Sequence, residues 1–149
     1  MLTMYPACFY KEDDGYSVIF PDLNYLATCG KDLNEAMEMA IDCLAGYAFD
    51  CQLEGEKLPK ASKIESIDAK AIGKELDPEA SCEDCFVNMV SVEVESYARE
   101  HFDKPIRKSL TIPAWLNKTA TELGINFSQT LKEALMDKIY PKAQINKMK

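Results

Sequence analysis

The side chains of this 149-residue chain best suited to hold a metal or move protons are six cysteines, a single histidine and an excess of carboxylates. Cys82 and Cys85, in CEDC, have the spacing of zinc knuckles and dithiol redox motifs. A closed zinc site needs four protein ligands, yet no second pair of this kind accompanies them and His101 is the only histidine. No metal and no cofactor are therefore expected. Cys8, Cys29, Cys43 and Cys51 fall inside apolar periodic segments, where a thiol behaves as a small hydrophobe. His101 lies in a polar stretch, with no nucleophile or orienting carboxylate recognisable around it. Asp13, Asp14, Asp22 and Glu35 could converge on magnesium as in a nuclease, but a turn accounts for the first two and a helix cap for the last. An enzyme is not the expected outcome.

The charge distribution points to binding instead. Residues 1–103 hold 22 Asp plus Glu against 8 Lys plus Arg, a net −14, and residues 104–149 hold 3 against 9, a net +6. The basic end suits a polyanion and the acidic end a cationic partner. Within the basic end, RKSLTIPAWL alternates Arg107, Ser109 and Thr111 with Lys108, Leu110 and Ile112. One face of such an extended segment is polar; the other, helped by the aliphatic stem of Lys108, is apolar. Arginine and hydroxyl groups on a two-stranded ribbon are suited to reading base edges in the major groove of DNA.

The elements that must carry these groups follow from periodicity. TMYPACFYKE and EDDGYSVIFPD read as a hairpin turning through Asp13, Asp14 and Gly15, with Tyr16, Val18 and Phe20 on one face of its second strand. After a turn at Pro21 to Asn24, YLATC makes a third strand that Gly30 breaks. Asp32 then caps a helix with Glu35 as its reciprocal partner, and Leu33, Met37, Ala40, Ile41, Leu44, Ala48 and Cys51 form the apolar stripe up to Glu54 and Gly55. Residues 56–84 read mostly as loop, and FVNMVSVEVE, 86–95, as a half-exposed strand with Val90, Val92 and Val94 on one face. The order β-β-β-α-β is an α+β domain over residues 1–95, followed by a connector at 96–106.

Residues 107–149 form a second module. A strand over 107–112 stops at Pro113, which suits a helix start. That helix runs to about Leu123 with Leu116, Ala120 and Leu123 on its stripe; Gly124 and Ile125 stop it, and Asn126 with Gln129 opens another bearing Leu131, Ala134, Leu135 and Ile139. One strand and two short helices have too little core to fold alone. Two copies pairing their strands antiparallel would bury Leu110, Ile112, Leu116, Leu123, Leu131 and Leu135, and expose Arg107, Ser109 and Thr111 twice. Lys108 and the helix start at Asn126, Phe127 and Ser128 are then the candidate phosphate contacts. A homodimer or higher homo-oligomer is expected.

Residues 106–140, with the polar-apolar strand, LTIP, LGIN and FSQTLKEAL, resemble the ribbon-helix-helix repressors of the Arc and MetJ type. Across nearly the whole chain, DGYSVIFPDLNYLATCGKDLNEAMEMAIDCL, then GEKLPKAS, and the ribbon-helix-helix tail are similar to the HicB family of antitoxins. The resemblance implies a partly RNase H-like N-terminal domain without nuclease activity. It would mask HicA, a small basic toxin that cleaves mRNA, while the tail binds operator DNA. Asn24, Tyr25 and Leu26 stand where the family commonly has Pro-Gly-Cys. Asp13, Asp14, Asp22, Glu35 and Glu38 are the candidate toxin-facing carboxylates. A stand-alone repressor whose N-terminal domain binds a ligand or another protein is the alternative. No apolar run approaches the roughly 18 residues of a membrane span, and no secretion signal is recognisable, so a cytoplasmic protein with reduced thiols is expected.

Overall fold

A computed structural model describes residues 2–140. The chain divides into two compact units, Met1–Pro105 and Ile106–Lys149. In the first, β1 (Leu2–Glu12), β2 (Gly15–Phe20), β3 (Leu26–Gly30) and β4 (Cys85–Glu93) build an antiparallel sheet in the order β3-β2-β1-β4. The β1–β2 hairpin turns through Asp13 and Asp14, with Glu12 opposite Gly15. Leu26 N donates to Leu23 O at 3.1 Å across Asn24 and Tyr25, whose φ values are 55° and 56°. Two left-handed residues in a row mark a type I′ turn, so Tyr25 belongs to the turn and not to the strand expected there.

The α1 helix (Leu33–Glu54) covers one face of the sheet. Its buried residues are Ala36, Ala40, Leu44, Ala45, Ala48 and Cys51, against Tyr5, Ala7, Phe9, Val18, Phe20, Val90 and Val92. Burying Phe9 and Phe20 completely contributes about 1.5–3 kcal/mol each. The alanines let the helix come close: a Cβ on Gly30 would lie 2.2 Å from the amide nitrogen of Ala36. Leu33, expected in this interface, is 42% exposed, because the contact is made through Ala36 one turn further on. Asp32 accepts from Glu35 N at 2.9 Å as expected, but the Glu35 carboxylate takes the amide of Lys31, at 2.7 Å, and not that of its capping partner. Gly55, at φ 71°, closes the helix.

The region 56–84, expected to be mostly loop, wraps the sheet and adds a helix. Asp22 holds it by accepting from Ser62 N at 2.8 Å and Ser62 Oγ at 2.7 Å, and the Tyr5 hydroxyl donates to Pro59 O. After a 3-10 turn at Ile64–Ser66, α2 (Ala69–Leu76) starts on Asp68, whose carboxylate accepts from Ala71 N at 3.1 Å. Gly73 sits in its middle because a Cβ there would come within 2.5 Å of Cys82 Sγ and 2.8 Å of Tyr10 Cε1. That glycine hid the helix from its sequence. α2 covers part of the second sheet face, forming a smaller core of Cys8, Tyr10, Ala69 and Cys82. The Tyr10 hydroxyl donates to Ala69 O at 2.7 Å.

β4 ends at Glu93, earlier than the strand expected over 86–95. Val94 opens α3 (Val94–His101), in which Val94 and Ala98 are buried and Tyr97 donates to Asp42 at 3.1 Å. Residues 96–101, expected within the connector, are therefore a helix of the first unit.

The second unit contains α4 (Ala114–Glu122) and α5 (Phe127–Ile139). Gly124, at φ 67°, stops α4: Ile125 N reaches Ala120 O and Gly124 N reaches Thr121 O, both at 3.0 Å, the paired bonds of a Schellman motif. Asn126 caps α5 by accepting from Gln129 N at 3.0 Å, whereas the Gln129 side chain turns forward to Glu133 at 2.8 Å and does not close a box. The strand expected over 107–112 is not formed; residues 103–113 have no regular structure. A strand exists only through its ladder, and among the described residues this segment pairs with no strand. Residues 141–149 of the expected module lie outside the described residues.

Candidate functional site

In the first unit α2 covers only part of the second sheet face. Beside it opens a cleft of about 790 Å³. Ser17 and Ile19 of β2 and Ala27 and Thr28 of β3 line it on the sheet side; Leu76 of α2, Asp77 just past its end and the segment Ala80–Asp84 line the other side. Ala27 is exposed and Ile19 half-buried, an apolar strip of sheet that the described residues cover only in part. The charged residues around it are Lys11, Glu12, Asp13, Asp77, Glu83 and Asp84, five acids against one base. Lys11 lies 3.8 Å from Asp84, its amide donates to Asp84 O at 2.9 Å, and Glu12 accepts from Ser17 Oγ. The cleft is thus acidic at the rim and apolar at the floor.

Burial pushes the Cys8 and Cys85 thiols and the Tyr10 hydroxyl above their ordinary pKa values, keeping all three protonated at neutral pH. Cys85 Sγ donates to Cys82 O at 3.2 Å, so the CEDC pair forms part of the smaller core. Among the described residues no three His, Cys, Asp or Glu side chains gather so as to hold a metal ion. Of the other thiols, Cys51 is buried and Cys43 half-buried, but Cys29 is exposed, contrary to the small-hydrophobe reading, because it shares with Ala27 the second sheet face, outside the smaller core.

The five carboxylates expected to face a partner do not gather. Asp13 lines the cleft, and Asp14 shares its turn. Asp22 is engaged by Ser62, Glu35 accepts from Lys31 N ahead of α1, and Glu38 is exposed on α1. Glu12, Asp77, Glu83 and Asp84 were not singled out by sequence. The acids inside CEDC were a signal for the last two, but their meeting with the hairpin depends on the Tyr10–Cys85 register of β1 and β4.

In the second unit Arg107, Lys108, Ser109 and Thr111 are exposed, as are Asn126, Phe127 and Ser128 at the start of α5. Helix geometry leaves the amides of Phe127 and Ser128 without intrahelical acceptors. The expected dimer-core residues are also largely open: Leu110, Ile112, Leu116, Leu123 and Leu135 are exposed and Leu131 half-buried. Among the described residues, no helix is long and apolar enough to cross a membrane.

A chain in a toxin-antitoxin complex from Streptococcus pneumoniae is 37% identical, matching 93% of this chain and 99% of its own length with a TM-score of 0.62. The antitoxin HicB of Burkholderia pseudomallei is a more distant structural neighbour, at 20% identity, 91% and 97% coverage and a TM-score of 0.48. An uncharacterised 14.9 kDa protein from the rep-hol intergenic region of Haemophilus phage HP1 is 36% identical over 62 residues, 42% of this chain, which spans about half (47%) of that relative. A family model described as a HicB-like antitoxin of bacterial toxin-antitoxin systems matches residues 5–134. By that match, which takes in both units, the chain belongs to the HicB-like antitoxin family.

Proposed function

We propose that this chain is the antitoxin of a HicA-type pair, in which unit 1 binds and masks a small basic mRNA-cleaving toxin. Unit 2 dimerises as a ribbon-helix-helix module and represses the operon encoding both proteins. The role is regulatory and non-enzymatic, in keeping with the family. The observation that carries the reading is the family match across residues 5–134, supported by the near full-length likeness to a chain of a toxin-antitoxin complex.

Physical chemistry supports the division of labour. A toxin that grips RNA must present positive charge, and an acidic unit with net −14 over residues 1–103 competes for that surface and speeds capture. The basic tail suits DNA, with Arg107, Ser109 and Thr111 on base edges and Lys108, Asn126, Phe127 and Ser128 on phosphates. The open apolar residues of unit 2 are the surface that a second copy covers, pairing residues 107–112 across the two-fold axis. Co-expression with the HicA-type toxin of the adjoining gene tests the reading. Growth should be restored and the two proteins should copurify. A chain that neither rescues growth nor binds the toxin is not its antitoxin.

A further inference from the structure

The cleft beside α2 is where the first unit leaves its own architecture incomplete. Part of the second sheet face is closed by α2 over Tyr10 and Cys82, while half-buried Ile19, at the margin of that core, and exposed Ala27 form a floor next to the edge strand β3. A concave surface with an apolar base and a rim of one sign favours an occupant that is itself amphipathic. Lysine and arginine meet both demands, laying an aliphatic stem along apolar surface while the charged head reaches carboxylates. With five acids and one base at the rim, and that base beside Asp84, the cleft repels nucleic acid and attracts cationic protein.

We propose that this cleft is the docking site for a cationic segment of the toxin, whose Lys or Arg stems lie over Ile19, Ala27 and Leu76 with their heads among Glu12, Asp77, Glu83 and Asp84. The proposal rests on the antitoxin reading and locates its interface. It also separates the cleft from α1, whose exposed carboxylates Asp50 and Glu54 lie on the helix that covers the other face.

The test uses the full-length chain and the HicA-type toxin of the adjoining gene, with binding measured by calorimetry and folding by circular dichroism. E83K/D84K should weaken toxin binding about 100-fold or more and flatten its salt dependence. Ala27→Arg, which fills the floor from an exposed position, should weaken it comparably. Asp50→Lys/Glu54→Lys on α1 should leave it within about threefold. All variants should retain the wild-type spectrum and DNA affinity. If wild type binds the toxin and the cleft variants bind as well as it does, the docking site is overturned while the antitoxin reading survives. Cleft variants that keep toxin affinity but change oligomeric state assign the cleft to a second copy and overturn it too. Wild type failing to bind overturns both readings.

Discussion

The two units solve the problem of their apolar residues in opposite ways. In unit 1, Phe9, Val18, Phe20, Leu44 and Val90 are essentially removed from solvent, and the sheet is covered by α1 on one side and in part by α2 on the other. In unit 2, Ala120 is the one buried hydrophobic residue among those described, while Leu110, Trp115, Leu123 and Ile139 are all more than 60% exposed. The contrast teaches where each unit's stability resides. The first has its core within its own sequence; the second has the pattern of a core without the second layer that would close it.

The strongest way to break that comparison is to damage each unit in turn. Phe9→Ala should destabilise unit 1 by about 3–5 kcal/mol, because it opens a cavity under α1 and removes the ring stacked 4.9 Å from Phe86. Urea unfolding of full-length protein would report it, with little dependence on protein concentration. In unit 2, Leu110→Asp places a charge on the proposed dimer face and should shift sedimentation from dimer to monomer at micromolar concentration, leaving the unfolding of unit 1 unchanged. A variant that remains dimeric would place the self-association elsewhere.

Arg107→Ala sharpens the comparison on the DNA side. It should cost about 1–3 kcal/mol at the operator and much less on random sequence, measured by fluorescence anisotropy at fixed salt. Equal losses on both DNAs would reduce Arg107 to a phosphate contact. The smallest expected effect is a gain. Tyr25→Gly relieves a left-handed tyrosine in an exposed turn and should raise the stability of unit 1 by about 0.5 kcal/mol, the strain relief exceeding the added freedom of the unfolded glycine. A loss on melting would mean that the tyrosine ring contributes more than its backbone costs.

Legibility in the sequence follows the range of the interactions involved. The hairpin at Asp13–Gly15, the Asp32 and Asn126 caps and the glycine stop at Gly124 were readable because each is settled within a few residues. α2 was not, since its central glycine is a poor helix former and is required only by the approach of Tyr10 and Cys82. α3 was hidden in a charged stretch whose helix is held by Val94, Ala98 and the bond from Tyr97 to Asp42. The strand at 107–112 has the alternation of a ribbon, yet alternation supplies no hydrogen-bonding partner.

The sequence by itself determined the separation of charge, the local starts and stops of most elements, and the family to which the chain belongs. Those are properties of composition and short-range bonding, carried in residue order whatever the chain's shape. Only the tertiary structure decided that the CEDC thiols join a core, that Asp22 ties down a loop, and that Glu12, Asp77, Glu83 and Asp84 surround one cleft. Each depends on residues tens of positions apart being brought together by strand register and packing, which no local pattern specifies.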